Sequence, residues 1–144
     1  MKRLLNLSLA LTTAFAISAC AKTPSAPEMA SKIDIEKVCS VEKNGISKVL
    51  ETAKKYNTIA QEEGLEFRRL GVNNSGIIVA VEEAIKTGAK EVNPKDFKGK
   101  KSKTVLETNF AAHRACKFAI RALQQAHEAK STWKLAQPGE GYKY

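Results

Sequence analysis

The sequence predicts an all-α fold, a small three-helix bundle, and three observations carry that prediction. Apolar residues recur at three- and four-residue intervals over two long stretches, one ahead of Gly64 and one after Lys103. A third stretch, Ser75 to Thr87, lies between a capping residue and Gly88. The 144 residues suffice for one domain, and 43% hydrophobic against 6% aromatic residues describes a core of small and aliphatic side chains. Four Pro and eight Gly are too few for a low-complexity chain, and three Cys are too few for a disulfide scaffold or a four-ligand structural zinc site.

The chain opens with Lys2 and Arg3 and then carries no charge from Leu4 to Ala21. Asn6, Ser8, Thr12 and Thr13 dilute the hydrophobicity of this stretch, and small residues crowd its end. A cleaved export signal therefore fits better than a membrane-spanning helix. The stretch ends Ile17-Ser18-Ala19-Cys20, which resembles the lipobox of bacterial lipoproteins. The resemblance is confined to residues 1–20. It implies that residues 1–19 are a signal peptide and that Cys20 becomes the mature N-terminus, fatty-acylated (palmitate among its acyl chains) on thiol and amino group. Two or three acyl chains anchor a protein firmly, where one would not. In that family an Asp after the cysteine commonly retains the protein at the inner membrane. Ala21 stands there instead, which implies an outer-membrane lipoprotein facing the periplasm.

Residues 20–31 read as a lipidated, flexible tether, because Pro24 and Pro27 interrupt a polar run. Its reach is at most about 40 Å. A helical domain is expected over 32–130. Ser31, with Asp34 three residues on, is its expected start. Ile35, Cys39, Ile46, Val49, Leu50, Ala53, Tyr56 and Ala60 form one apolar stripe to about Glu63. Asn44-Gly45 is the weak point of that helix, and Gly64 is its stop.

From Leu65 to Asn74 no helical repeat is visible, and two readings stand. Leu65 to Val72 could pair across the turn Asn73-Asn74-Ser75-Gly76 with Ile77 to Val81, giving an α+β fold with a short hairpin at 65–81. The preferred reading is a helix, with Ser75 as N-cap, Ile77, Ile78, Val81, Ala84 and Ile85 on one face, and Gly88 at the end. Ala89 to Lys103 reads as a loop marked by Pro94 and Gly99. The last helix is expected from about Thr104 to Lys130. Val105, Ala112, Cys116, Ala119, Ile120, Leu123 and Ala126 lie on its apolar side, with Arg114, Lys117 and Arg121 opposite. So much alanine favours close helix approach over a roomy pocket. Residues 131–144 form an aromatic, Gly- and Pro-containing tail.

With Cys20 assigned to the anchor, Cys39 and Cys116 remain in a chain bound for an oxidising compartment, each on an apolar stripe. A disulfide between them would join the first helix to the last and close a loop of about 77 residues, worth roughly 4 to 5 kcal/mol on a chain-entropy argument. The competing reading makes Cys116 a reactive thiol with His113 as its base. A core-facing thiol is neither exposed nor low in pKa, which disfavours it.

His113 and His127 would lie about 21 Å apart along one helix, too far to share a metal. Glu62-Glu63 and Glu82-Glu83 are adjacent pairs that do not face each other on a helix. Ser75 lacks the glycine setting of a nucleophile elbow, and no phosphate loop, dinucleotide fingerprint or zinc-protease motif occurs. No catalytic residue, cofactor or metal site is therefore expected, and an enzyme ranks third among the function classes.

Charge is informative. Without residues 1–19 the net charge is +7, and all of it falls after Thr87, where twelve basic residues meet five acidic ones. Lys95, Lys98, Lys100, Lys101 and Lys103 are its densest part. They read either as a solubilising surface loop or as a site for an anionic partner, such as lipid head groups, lipopolysaccharide phosphates, cell-wall carboxylates or an acidic protein. Nucleic acid is disfavoured by the compartment and by Phe97 being the loop's one stacking residue. The leading expectation is a noncatalytic binding or accessory module at the envelope, membrane-held through its lipid. The alternative is an exclusion or immunity lipoprotein against phage, plasmid or toxin.

Overall fold

The structure, a computed structural model, describes residues 25–69 and 71–132. Cys20, the expected export signal and the tail beyond Thr132 lie outside the described residues. The fold is dominated by helices, in the order α1 (Ala26–Ser31), α2 (Ile35–Val38), α3 (Val41–Asn44), α4 (Ile46–Glu62), α5 (Asn74–Thr87) and α6 (Thr108–Thr132). Two small antiparallel pairs accompany them: β1 (Arg68–Arg69) with β2 (Val72–Asn73), and β3 (Glu91–Val92) with β4 (Leu106–Glu107).

Helix α6 is the hub. Thr108, Ala111, Ala112, Ala115, Cys116, Ala119, Ile120, Leu123 and Gln124 are all buried, at the three- and four-residue spacing of one helical face. Their small side chains let α1, α4 and α5 approach that face. Val49, Leu50 and Ala53 of α4 and Ile77, Ile78 and Val81 of α5 fill the main core, while Ala30, Ala60 and Leu123 form a second cluster under α1.

Glycines set the breaks. The expected single helix from Ser31 to Glu63 is instead three helices, because Gly45 has φ 78° and cannot continue α3 into α4. Ser40 caps α3, accepting from the Lys43 N–H at 3.3 Å. Asn44 Nδ2 donates to the carbonyls of Lys37, Val38 and Ser40, which occupies the chain end of α2. Cys39 is accordingly the C-cap of α2 rather than part of a long stripe. Gly88, φ 72°, ends α5 as expected.

Three expectations are corrected. Part of the tether is folded: Ala26–Ser31 is helix α1, with Pro27 and Ala30 buried. Pro27 sits in its first turn, where the missing N–H costs nothing. Gln124 Nε2 donates to the carbonyls of Ala30 and Ile33 at 3.2 and 2.9 Å, fastening the end of α1 to α6. Ser31 is thus the last residue of α1, and Asp34 is the cap that starts α2.

Residues 65–81 combine both readings in a different register. The hairpin is Arg68 to Asn73, turning at Gly71 with φ 78°, and α5 follows it directly. Asn73 is the N-cap residue but makes no side-chain cap. Glu66 does that work from outside, accepting the Ser75 N–H at 2.8 Å and the Asn57 amide at 3.3 Å. Beside it Asn74, wholly buried, donates to Asn57 Oδ1 and to the Ala115 carbonyl, both at 2.9 Å. This network joins α4, α5 and α6 at one point.

The last helix begins at Thr108 rather than Thr104, and Val105 is 57% exposed instead of lying on the apolar stripe. Residues 104–107 turn back to pair with β3, and Thr108 bonds the Ala89 and Lys90 carbonyls through its hydroxyl and N–H.

Candidate functional site: a basic face

The segment expected as an open loop is an ordered excursion from β3 to β4. Asn93 Nδ2 donates to the Ser102 and Thr104 carbonyls at 2.8 and 2.9 Å, and Lys95 pairs with Lys101 in an antiparallel bridge. At the tip, one oxygen of Asp96 accepts the backbone N–H groups of Lys98 and Lys100 at 2.8 and 2.9 Å. The acid nearest the lysines is therefore committed to shaping the turn. Lys95, Lys98, Lys100, Lys101 and Lys103 are all exposed, and none has a carboxylate partner among the described residues. Lys95 and Lys101 stand directly opposite each other, an arrangement of like charges that is destabilising by itself.

The loop is also held against the rest of the molecule. Phe97 N–H donates to the Gly71 carbonyl at 2.9 Å. A side chain at Gly76 would meet the Lys95 carbonyl at 3.3 Å, so a glycine in the first turn of α5 lets the loop backbone settle there. The backbone of the lysine loop is thereby fastened to the β1–β2 hairpin, whose Arg68 and Arg69 are exposed, a neighbourhood that linear sequence does not display.

Arg69 continues the face onto α6. It lines a cleft of about 530 Å³ with Phe110, His113, Arg114, Lys117 and Phe118. The Arg114 guanidinium lies 5.0 Å from the Phe118 ring centre, and Phe118 stacks on Phe67 at 3.9 Å. Arg114 and Lys117, expected on the solvated side of the last helix, share this cleft with Phe110 and Phe118. The available signal was the spacing 110, 113, 114, 117, 118, one face of a helix that alternates aromatic and basic residues.

Across the α6 ridge lies a larger cleft, about 690 Å³, lined by Glu36, Glu42 and Glu107 together with His113. The two clefts share Phe110 and His113, and Lys117 of the smaller one bonds Glu36 of the larger at 2.7 Å. The Lys117 hydrogen bond and charge hold the Glu36 carboxyl below its ordinary value.

Cys39 and Cys116 form the expected disulfide, with Cα atoms 5.6 Å apart and both residues fully buried. Cys116 is thereby unavailable as a nucleophile. His113 Nδ1 lies 2.9 Å from the Cys39 carbonyl. Because a carbonyl only accepts, that nitrogen carries the proton. His127 stands apart near the end of α6. Among the described residues no three His, Cys, Asp or Glu side chains gather as metal ligands would, and no helix is long and apolar enough to cross a membrane.

No family model matches this chain, and neither a curated protein nor a solved structure matches it.

Proposed function

We propose that the protein is a lipid-anchored envelope lipoprotein of the outer membrane, and that it works as a noncatalytic binding module for an anionic envelope component or an acidic partner protein. Helices α4, α5 and α6, which pack on one another, act on this reading as a three-helix scaffold for the basic face. The observation that carries the reading is the lysine excursion. Five ammonium groups are displayed on an ordered turn whose acid, Asp96, already serves two backbone N–H groups. A loop needed only for solubility has no use for such order, whereas a binding surface gains from holding its charges in place before the partner arrives.

The lipid anchor comes from the residues around Cys20, and it matters energetically. Each lysine near an anionic surface contributes about 1 kcal/mol, which is weak in solution and useful once an anchor supplies proximity. A photo-crosslinker at position 98, compared in intact cells with one at Lys48 on α4, tests the reading. Crosslinks to an anionic envelope species from position 98 that disappear at high salt support it. Equal yields from both positions contradict it.

A further inference from the structure

The cleft between β1 and α6 has a charge surplus that the lysine excursion does not explain. Arg69, Arg114 and Lys117 converge on it, while Glu36 is the carboxylate bonded to Lys117. Arg69 and Arg114 have no carboxylate partner among the described residues. Three positive charges against one negative leave a local excess of two. Arg114 is half-buried and lies over the face of Phe118, which is itself stacked on Phe67. A guanidinium placed over an aromatic ring still has N–H groups to offer to a forked, bidentate contact. Phe110, 52% exposed, forms another wall of the same cleft, one turn before Arg114 on α6.

From this geometry we propose that the cleft binds a phosphate monoester that carries an apolar group. The dianionic phosphate matches the two uncompensated guanidinium charges, where a carboxylate or sulfate ester would neutralise one of them. The apolar substituent lies against Phe110. His113 also lines the cleft, with its Nδ1 proton engaged by the Cys39 carbonyl. The cleft's volume of about 530 Å³ accommodates such a group. Lys98, Lys100, Lys101 and Lys103 do not line the cleft, so this site stands or falls separately from the lysine excursion.

The test is a titration of the purified full chain in neutral detergent, followed by backbone NMR shifts over residues 110–118. The probes are phenyl phosphate, phenyl sulfate and inorganic phosphate. Phenyl phosphate should give saturable shifts. Phenyl sulfate, with the same ring and half the charge, should bind about fivefold more weakly, as should inorganic phosphate, which lacks the ring. The exposed variant Arg69→Gln should weaken phenyl phosphate by about fivefold, and Arg114→Lys, which keeps the charge and loses the fork, by a similar factor. Phosphatidic acid in bicelles, run beside phenyl phosphate, distinguishes a lipid-borne phosphate from a soluble one. Absence of saturable shifts, equal affinity for sulfate and phosphate, or an unchanged Arg69→Gln variant overturns the proposal. So does loss of phenyl phosphate binding when Lys98, Lys100, Lys101 and Lys103 are changed to Gln, since that would place the phosphate on the excursion instead.

Discussion

The backbone N–H of Phe97 donates to the carbonyl of Gly71 at 2.9 Å, and this bond ties the tip of the lysine excursion to the turn of the β1–β2 hairpin. The lysine excursion and the β1–β2 hairpin, far apart in sequence, are thereby fastened together, and Arg69 of that hairpin shares a cleft with Arg114 and Lys117 of the central helix.

The disulfide is a second such tie. Cys39–Cys116 spans 77 residues of sequence and fixes the α2 end to the middle of α6. Its reduction releases a loop worth roughly 4 to 5 kcal/mol on a chain-entropy argument. Calorimetry with and without reductant should show a melting temperature lower by about 10 °C or more after reduction. Both cysteines should resist a thiol reagent until reductant is added. Labelling of Cys116 in the unreduced protein would count against the bond.

Glu66 supplies an acid-sensitive contribution to stability. Burial pushes its carboxyl up, but hydrogen bonds from Ser75, Asn57 and Gln61 outweigh burial, and the net shift is below the ordinary 4.5. A depressed folded pKa means that the stabilisation is complete above the unfolded value and is lost as pH falls through the folded one. Glu66→Gln should cost about 1 kcal/mol at neutral pH, the size of a lost helix cap. In urea titrations the gap between variant and wild type should narrow as the pH falls below the ordinary carboxylate value of 4.5. A gap that is constant with pH would mean that the charge of Glu66 is not what caps α5.

The proposed lipid anchor rests on Cys20. Growth with a labelled fatty acid should mark the wild type, and Cys20→Ser should leave an unlabelled precursor or soluble form. Equal labelling of both would remove the lipoprotein reading.

What the sequence disclosed follows from the range of the forces involved. Breaks at Gly45 and Gly88 were legible because a positive φ is a local demand that glycine meets. The pairing of Cys39 with Cys116 was legible because few cysteines left few choices. Helix α1 was missed because Pro27 was read as a breaker, although a proline in a first turn is compatible with a helix. The hairpin was placed too late because Asn73 to Gly76 has stronger turn composition than the single Gly71 that makes the turn. Strands β3 and β4 are two residues each and are stabilised by contacts with Ala89, Lys90 and Thr108, which no local pattern announces. The lysine cluster was visible in the chain, but its union with Arg69 and Arg114 depends on tertiary contacts.

Vesicle partitioning of the full chain tests whether the ordered lysine excursion binds anionic material. Wild type and the variant with Lys98, Lys100, Lys101 and Lys103 changed to Gln are compared on vesicles rich in phosphatidylglycerol and on pure phosphatidylcholine. The proposed lipid anchor is common to both proteins, so the ratio between the two vesicle types isolates the charge effect. The account predicts that the preference for anionic vesicles falls about tenfold or more in the variant, with melting temperature and phosphatidylcholine binding unchanged. An equal preference in both proteins at low salt would contradict it and leave the excursion as a solubility feature.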